Sequence, residues 1–251
     1  MGELQYHIRC KPGDVGEVVL LPGDPGRVES VARLLDSPKL IARNREYTTY
    51  TGQLDGRAVS VCSTGIGSPS TAIAVEELAA IGATTFIRVG TTGSIVKGVG
   101  FGDLVIATAA VRDEGTTPGY VPLGYPAVAD FELVSAIVAA ARAANQRAHA
   151  GVVRSHDALY PDLHAARMPR REELEQALKV WQRAHVLCND METSTIFVIC
   201  ALRNLRGGSV LTVVNEPGEA DIDSARVAAL DLTPMFRVAL GAVRQLAPLS
   251  T

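Results

Sequence analysis

The sequence of 251 residues contains no run near the roughly 18 apolar residues that a membrane-spanning helix needs, and Met1 to Asp14 is polar rather than signal-like. The expectation is therefore a soluble, cytoplasmic protein with no membrane partner. Its four cysteines, Cys10, Cys62, Cys188 and Cys200, form no CxxC pair and no regular framework, which speaks against a zinc site or disulfides and for a reducing compartment. A formal net charge of −3 leaves no basic excess with which to neutralise a polyphosphate backbone. Nucleic acid is excluded as a partner on that ground, and any phosphate chemistry must rest on a few placed cations. The chain also lacks internal repeats, low-complexity tracts and charge blocks, so nothing marks a linker. A Walker phosphate-loop pattern is missing too, which removes support for a nucleotide triphosphatase.

What remains is enough apolar material, 47% of residues, for one substantial core, and the whole of 1–251 is read as a single domain. Short β-branched runs at Val18–Leu21, Ala58–Ser63, Thr85–Val89, Asp103–Ala109, Gly151–Ser155 and Ser209–Val214 predict buried strands. Helical patterns at Arg27–Leu35, Ser70–Ile81, Phe131–Gln146, Arg171–Arg183, Met191–Leu205 and Ala225–Leu246 lie between or after them. Strand and helix in alternation predict an α/β fold of three layers, α/β/α, around a central sheet. Asp55-Gly56 marks a hairpin, so the sheet is expected to be mixed. In such folds ligands bind beyond the carboxyl ends of the strands.

Four segments sit at those ends. After Val18–Leu21 comes Pro22-Gly23-Asp24-Pro25-Gly26-Arg27, where glycine brings backbone N–H groups close to a ligand and Arg27 offers a bidentate fork for an anion. The alternative there is a plain turn with a solvated arginine. In Phe86-Ile87-Arg88-Val89-Gly90-Thr91-Thr92-Gly93 a charged Arg88 lies inside an apolar strand, a costly position unless an anion pairs with it. That partner is either a ligand or a structural carboxylate. Gly65-Ile66-Gly67-Ser68-Pro69-Ser70 nearly spells a dinucleotide fingerprint, but the next strand ends in Val89-Gly90-Thr91 without the acidic residue that would hold a ribose. The loop is read as helix-start and packing chemistry. Asn189-Asp190-Met191-Glu192 puts two carboxylates at the mouth of an apolar helix, either as partners of the helix dipole or as acceptors for vicinal sugar hydroxyls.

Taken together and in this order, Leu21–Arg27, Ser63–Ser70, Phe86–Gly93 and Asp190–Glu192 resemble the nucleoside phosphorylase family, which includes uridine, hexameric purine nucleoside and methylthioadenosine phosphorylases. The resemblance runs from about Tyr6 to the last helix. It implies phosphorolysis of a nucleoside to free base and ribose 1-phosphate, with inorganic phosphate as co-substrate and no required cofactor. Phosphate binding falls to Gly23, Arg27, Arg45, Arg88 and Thr91, and ribose binding to His7, Thr91, Met191 and Glu192. Arg27, Arg88 and Glu192 carry the catalytic roles. Base contacts fall to Thr92, Gly93, Leu159, Leu163, Asn189 and Val214. In the family, the equivalents of Arg45 and His7 reach into a neighbouring subunit's site, which implies a hexamer built as a trimer of dimers. Glu46, Ile66 and Ser70 match positions that surround a monovalent cation, potassium, at the dimer interface.

The pattern lies nearest the uridine branch. Tyr125–Phe131 and the long stretch between Asp157 and Met191 resemble it, and Asn215 stands where purine-specific members usually carry an aspartate proton donor. The lid departs from that branch, because its base-reading glutamine and arginine fall here on Leu163 and Ala165. His164 and Arg167 are candidates to replace them by a local shift. Glu216 likewise stands in place of the family's arginine after the asparagine. A purine nucleoside or methylthioadenosine phosphorylase, and a non-catalytic nucleoside-binding relative, are the other readings.

Overall fold

The computed structural model describes residues 3–219, 221–247 and 249. Val18–Leu21 forms β1 with all four side chains buried. Val18 and Leu20 enter one apolar cluster while Val19 and Leu21 enter another. A strand buried on both faces reads as an unbroken apolar run, which is why it was legible. A single 3-10 turn at Pro25–Arg27 leads into α1, Val28–Ala32, a shorter helix than the sequence pattern predicts. Next come β2 (Asp36–Asn44), β3 (Tyr47–Leu54) and β4 (Arg57–Cys62). Between β3 and β4 the expected hairpin turn is present, with Asp55 at φ 50° and Gly56 at φ 80°, the paired left-handed geometry that matches strand twist.

The chain continues through α2 (Ser68–Ala80), β5 (Thr85–Ser94), β6 (Leu104–Asp113), the short β7 (Ala127–Val128) and α3 (Phe131–Ala143). After β8 (Ala148–His156) follow α4 (Leu159–Leu163), α5 (Arg171–Arg183), β9 (Cys188–Asp190), α6 (Thr193–Leu202) and β10 (Arg206–Asn215). The helix predicted over Ala225–Leu246 is two helices, α7 (Ser224–Ala228) and α8 (Thr233–Gln245). Pro234 explains the break: it lacks an N–H and suits only a first turn, so the chain must restart there.

The ten strands among the described residues belong to one mixed sheet, ordered β10-β6-β8-β9-β5-β1-β4-β3-β2 with β7 added beside β6. β5 also pairs with β10, so β5, β10, β6, β8 and β9 close on one another, while β1, β4, β3 and β2 extend as an open wing. The central strand β5 runs parallel to both β1 and β10. Helices cover both faces: α2 and α6 pack in the cluster that holds Val19 and Phe86, and α1, α3 and α8 in the cluster that holds Leu20 and Ile87. The predicted α/β/α layering around a mixed sheet is what is observed, with the partial closure as an addition. Among the described residues no helix is long and apolar enough to cross a membrane.

Candidate active site

A cleft of about 360 Å³ opens where β1, β5 and β9 end. The β1–α1 turn brings Gly23 and Arg27 to it. Asp24 shapes that turn, its Oδ1 accepting from Gly26 N at 2.8 Å, and so aims Arg27 inward. Arg27 Nη1 lies 3.5 Å from Thr91 Oγ1, and Nε lies 3.7 Å from Asp24 Oδ2. Burial pulls the Arg27 guanidinium below its ordinary value; Asp24 opposes this and the neighbouring Arg88 adds to it. Two guanidiniums face one another here, an arrangement that an anion between them would relieve.

Arg88 projects from β5 opposite Leu21 of β1 and is buried. Its Nε donates to Asp190 Oδ2 at 2.8 Å, and Nη2 is ion-paired with Glu192 Oε2. Burial works against its charge, but Glu192 and Asp190 outweigh it and raise the pKa. Gly90 makes room for this group, since a Cβ there would sit 2.9 Å from Arg88 Cζ. Asp190 is fully employed in the scaffold. Besides Arg88, it accepts from Ser155 Oγ at 2.6 Å and from Thr193 N at 3.0 Å at the start of α6. Both sequence-level alternatives, structural ion pair and helix-mouth acid, are therefore true of Asp190.

Glu192 is held from the other side by the Gly65–Ser70 loop, with Oε1 accepting from Gly67 N at 2.6 Å. That loop does more than start α2: its N–H orients a carboxylate. Gly67, at φ 96°, takes a backbone conformation that only glycine adopts readily. Burial pushes Glu192 up, Arg88 pulls it down and Asp190 raises it again, for a net rise. Although Glu192 Oε2 is ion-paired, it lacks the alignment of a hydrogen bond. Together with Arg88 Nη1 it is one of four buried side-chain polar atoms without a hydrogen-bond partner among the described residues. Nη1 lies 3.9 Å from where a Cβ on Gly23 would be, at the β1–α1 end of the cleft. An unpartnered donor, Arg88 Nη1, thus sits beside the ion-paired Glu192 carboxylate in one cleft. Buried groups of that kind call for a partner, here a ligand.

Of the residues singled out from sequence, Gly23, Arg27, Arg88, Thr91, Thr92, Gly93, Leu159, Leu163, Asn189, Met191, Glu192 and Val214 all line this cleft. Some of their polar groups are already committed. Thr92 Oγ1 donates to Asn189 O at 2.6 Å, and Asn189 Nδ2 donates to Asp162 Oδ2 at 2.9 Å. His7, Arg45, Glu46 and Ser70 do not line it. His7 Nδ1 is 2.6 Å from Glu77 Oε1, and Arg45 is exposed in the β2–β3 turn with φ 53°. Glu46, Ile66 and Ser70 gather around Gly65: a Cβ there would lie 2.8 Å from Glu46 Cγ and 3.2 Å from Ser70 Oγ, which itself is 3.4 Å from Ile66 O.

The suggested shift of His164 and Arg167 into base-reading positions does not occur, as neither lines the cleft. His164 stacks on Tyr160 and faces Asp221 Oδ1 at 3.5 Å, while Arg167 is exposed. Missed from sequence were His156 and Asp162, both on the cleft wall, together with Arg154 behind them. The one available signal was an arginine and a histidine at the buried end of an otherwise apolar strand.

Residues 17–239 match the phosphorylase superfamily. The chain is 47% identical over 236 residues to the uridine phosphorylase of Thermococcus kodakarensis, covering 90% of this chain and 84% of the relative. It is 42% identical over 244 residues to the uridine phosphorylase of Treponema pallidum, covering 97% and 95% respectively. A guanosine phosphorylase of Halorubrum lacusprofundi is 40% identical over 209 residues, covering 83% of this chain and 82% of that protein.

Proposed function

This chain belongs to the phosphorylase superfamily, and we propose that it is a pentosyltransferase that cleaves a uridine-like nucleoside reversibly with inorganic phosphate, giving free base and ribose 1-phosphate. The observation that carries the reading is the unpartnered buried Arg88 Nη1, which shares one cleft with the Glu192 carboxylate, Gly23 and Arg27. In this reading phosphate sits on the Gly23 backbone, Arg27, Arg88 and Thr91, and Glu192 with Met191 holds the ribose through its hydroxyls. The anomeric carbon migrates from base to phosphate through an oxocarbenium-like state. The bound phosphate is both the nucleophile and the negative charge that stabilises the developing cation. No covalent enzyme intermediate is required.

Charge balance supports a shared site. Within one chain Arg88 is paired with Asp190 and Glu192, and Arg27 with Asp24, so a phosphate dianion brings charge that nothing nearby offsets. Arg45, exposed at a hairpin tip, is the cation for the neighbouring subunit's phosphate, and His7 is its counterpart near the ribose 5′-hydroxyl. The assembly is then a hexamer of three such dimers, each chain acting as one catalytic domain in the cytoplasm. The Glu46 carboxylate, Ile66 carbonyl and Ser70 hydroxyl are hard oxygen donors suited to a potassium ion at that interface. A non-catalytic nucleoside binder would have no use for paired phosphate arginines. The test is base release from uridine, inosine, adenosine and methylthioadenosine with and without phosphate. Phosphate-dependent turnover of uridine is expected, and turnover of purine nucleosides alone would overturn the uridine assignment.

A further inference from the structure

A uridine-like base buries a polar edge, an N–H flanked by carbonyls, and a buried edge of that kind is costly to leave unpaired. The positions to which the family resemblance gives that edge hold Leu163 and Ala165, which have no polar side-chain atoms. Several other polar groups on the cleft wall are committed. Gln182 Nε2 donates to Ile95 O at 2.9 Å, the Thr92 hydroxyl donates to Asn189 O, and Asn189 donates to Asp162.

A buried polar cluster on the same wall is built on the end of β8 and on α4. Arg154, buried and anchored by Asp113 Oδ2 at 2.6 Å, donates through Nη1 to Asp162 Oδ2. Asn189 Nδ2 reaches the same oxygen at 2.9 Å, and His156 Nε2 lies 3.7 Å from it. All of these contacts converge on Oδ2, so Oδ1 has no hydrogen-bond partner among the described residues, and Asp162 is a residue of the cleft wall. His156 lines the cleft too, at 4% exposure. Burial pulls the His156 imidazole below its ordinary value, against Asp162; a neutral ring keeps one N–H to donate.

We propose that Asp162 and His156 read the base: Asp162 Oδ1 accepts the ring N–H and the His156 imidazole donates to the adjacent carbonyl, with Arg154 and Asn189 as positioning residues. Such an acceptor and donor pair selects the lactam edge, –NH–C(=O)–, over the amidine edge of cytosine or adenine, in which both polarities are reversed. The hydrogen bond from His156 also stabilises the negative charge that the departing lactam spreads onto its oxygen. This inference rests on the phosphorolysis reading above, because that reading places a base against this wall.

The experiment measures kcat/KM for uridine and cytidine, and calorimetric binding of both in saturating phosphate, for the wild type, Asp162→Asn and His156→Phe. The wild type is expected to prefer uridine on the order of 10²-fold or more, as a site built around hydrogen bonds rejects a mismatched analogue. Each variant should lose uridine kcat/KM by about 10-fold or more and narrow the uridine to cytidine ratio, with the KM for phosphate unmoved. A merely structural role would lower both substrates equally. Variants that fold, by thermal melting, and keep the wild-type ratio would overturn the proposal, as would a wild type that prefers cytidine. Selective binding without turnover would fail the phosphorolysis reading alone, and turnover without selectivity would fail the base-reading pair alone.

Discussion

Replacing Glu192 by Gln tests the ribose assignment with nearly no change of shape. In the wild type, Oε1 accepts from Gly67 N at 2.6 Å and Oε2 is ion-paired with Arg88. An amide can keep only one of these contacts, because its NH2 must face either Gly67 N–H or the guanidinium. A hydrogen bond to a charged group contributes about 1.5–3 kcal/mol. At about 1.4 kcal/mol per factor of ten, kcat/KM for uridine should fall roughly 10- to 100-fold. Stability should fall as well, by about 1–3 kcal/mol, because Arg88 keeps Asp190 at 2.8 Å and is not left alone. Thermal melting measures that part separately. The decisive assay is the cycle with 2′-deoxyuridine: if Glu192 holds the ribose hydroxyls, E192Q must cost less on the substrate that lacks one of them. Equal losses on both substrates would refute the role. The pH profile gives the same information from another side. Burial first, and Asp190 after it, push Glu192 up despite Arg88. Acidification therefore protonates it above the usual carboxylate range, wild-type activity falls there, and E192Q should lack that acid limb.

Gly90→Ala puts a Cβ 2.9 Å from Arg88 Cζ and Nη2, so the guanidinium must shift; a loss of about 10-fold or more in kcat/KM with a raised KM for phosphate is expected, and unchanged phosphate kinetics would contradict it. Random reassortment of R45A with E192Q makes half of the dimers mixed, each with one intact site, so activity should recover to about a quarter of wild type if Arg45 serves the neighbouring chain. No recovery on mixing would count against a shared site. The thiols supply a pH prediction for stability. Burial pushes Cys62 and Cys188 up to about 12 and Cys10 up to about 11. Each ionises near 9 when unfolded, so the native state holds protons that the unfolded state releases. Stability is intact below about pH 9 and should then fall by up to about 1.4 kcal/mol per pH unit for each such thiol; flat urea midpoints between pH 9 and 11 would contradict this.

Much of the fold was written where chemistry is local. Val18–Leu21 is apolar on both faces and could only be an interior strand, and Asp55-Gly56 could only be a tight hairpin. The edge strand β2 was not legible, because Asp36–Asn44 is exposed or half-buried along its length and carries Pro38, so no face of it alternates. The site divides in the same way. Arg88 announced itself as a charge within an apolar strand. That Gly67 N holds Glu192 did not show, as the two are 125 residues apart and the donor is a backbone group common to every residue. Asp162 was invisible for a related reason. It lies in a short polar lid segment, and only the fold brings Arg154 and Asn189 onto it.

The central claim is that phosphate, and not water, takes the ribosyl group. Phosphorus NMR on the protein with uridine and one equivalent of phosphate reads this directly. Ribose 1-phosphate should appear at the rate at which inorganic phosphate disappears, with no base released, by absorbance, when phosphate is withheld. Uracil released with the phosphate signal unchanged would contradict the account.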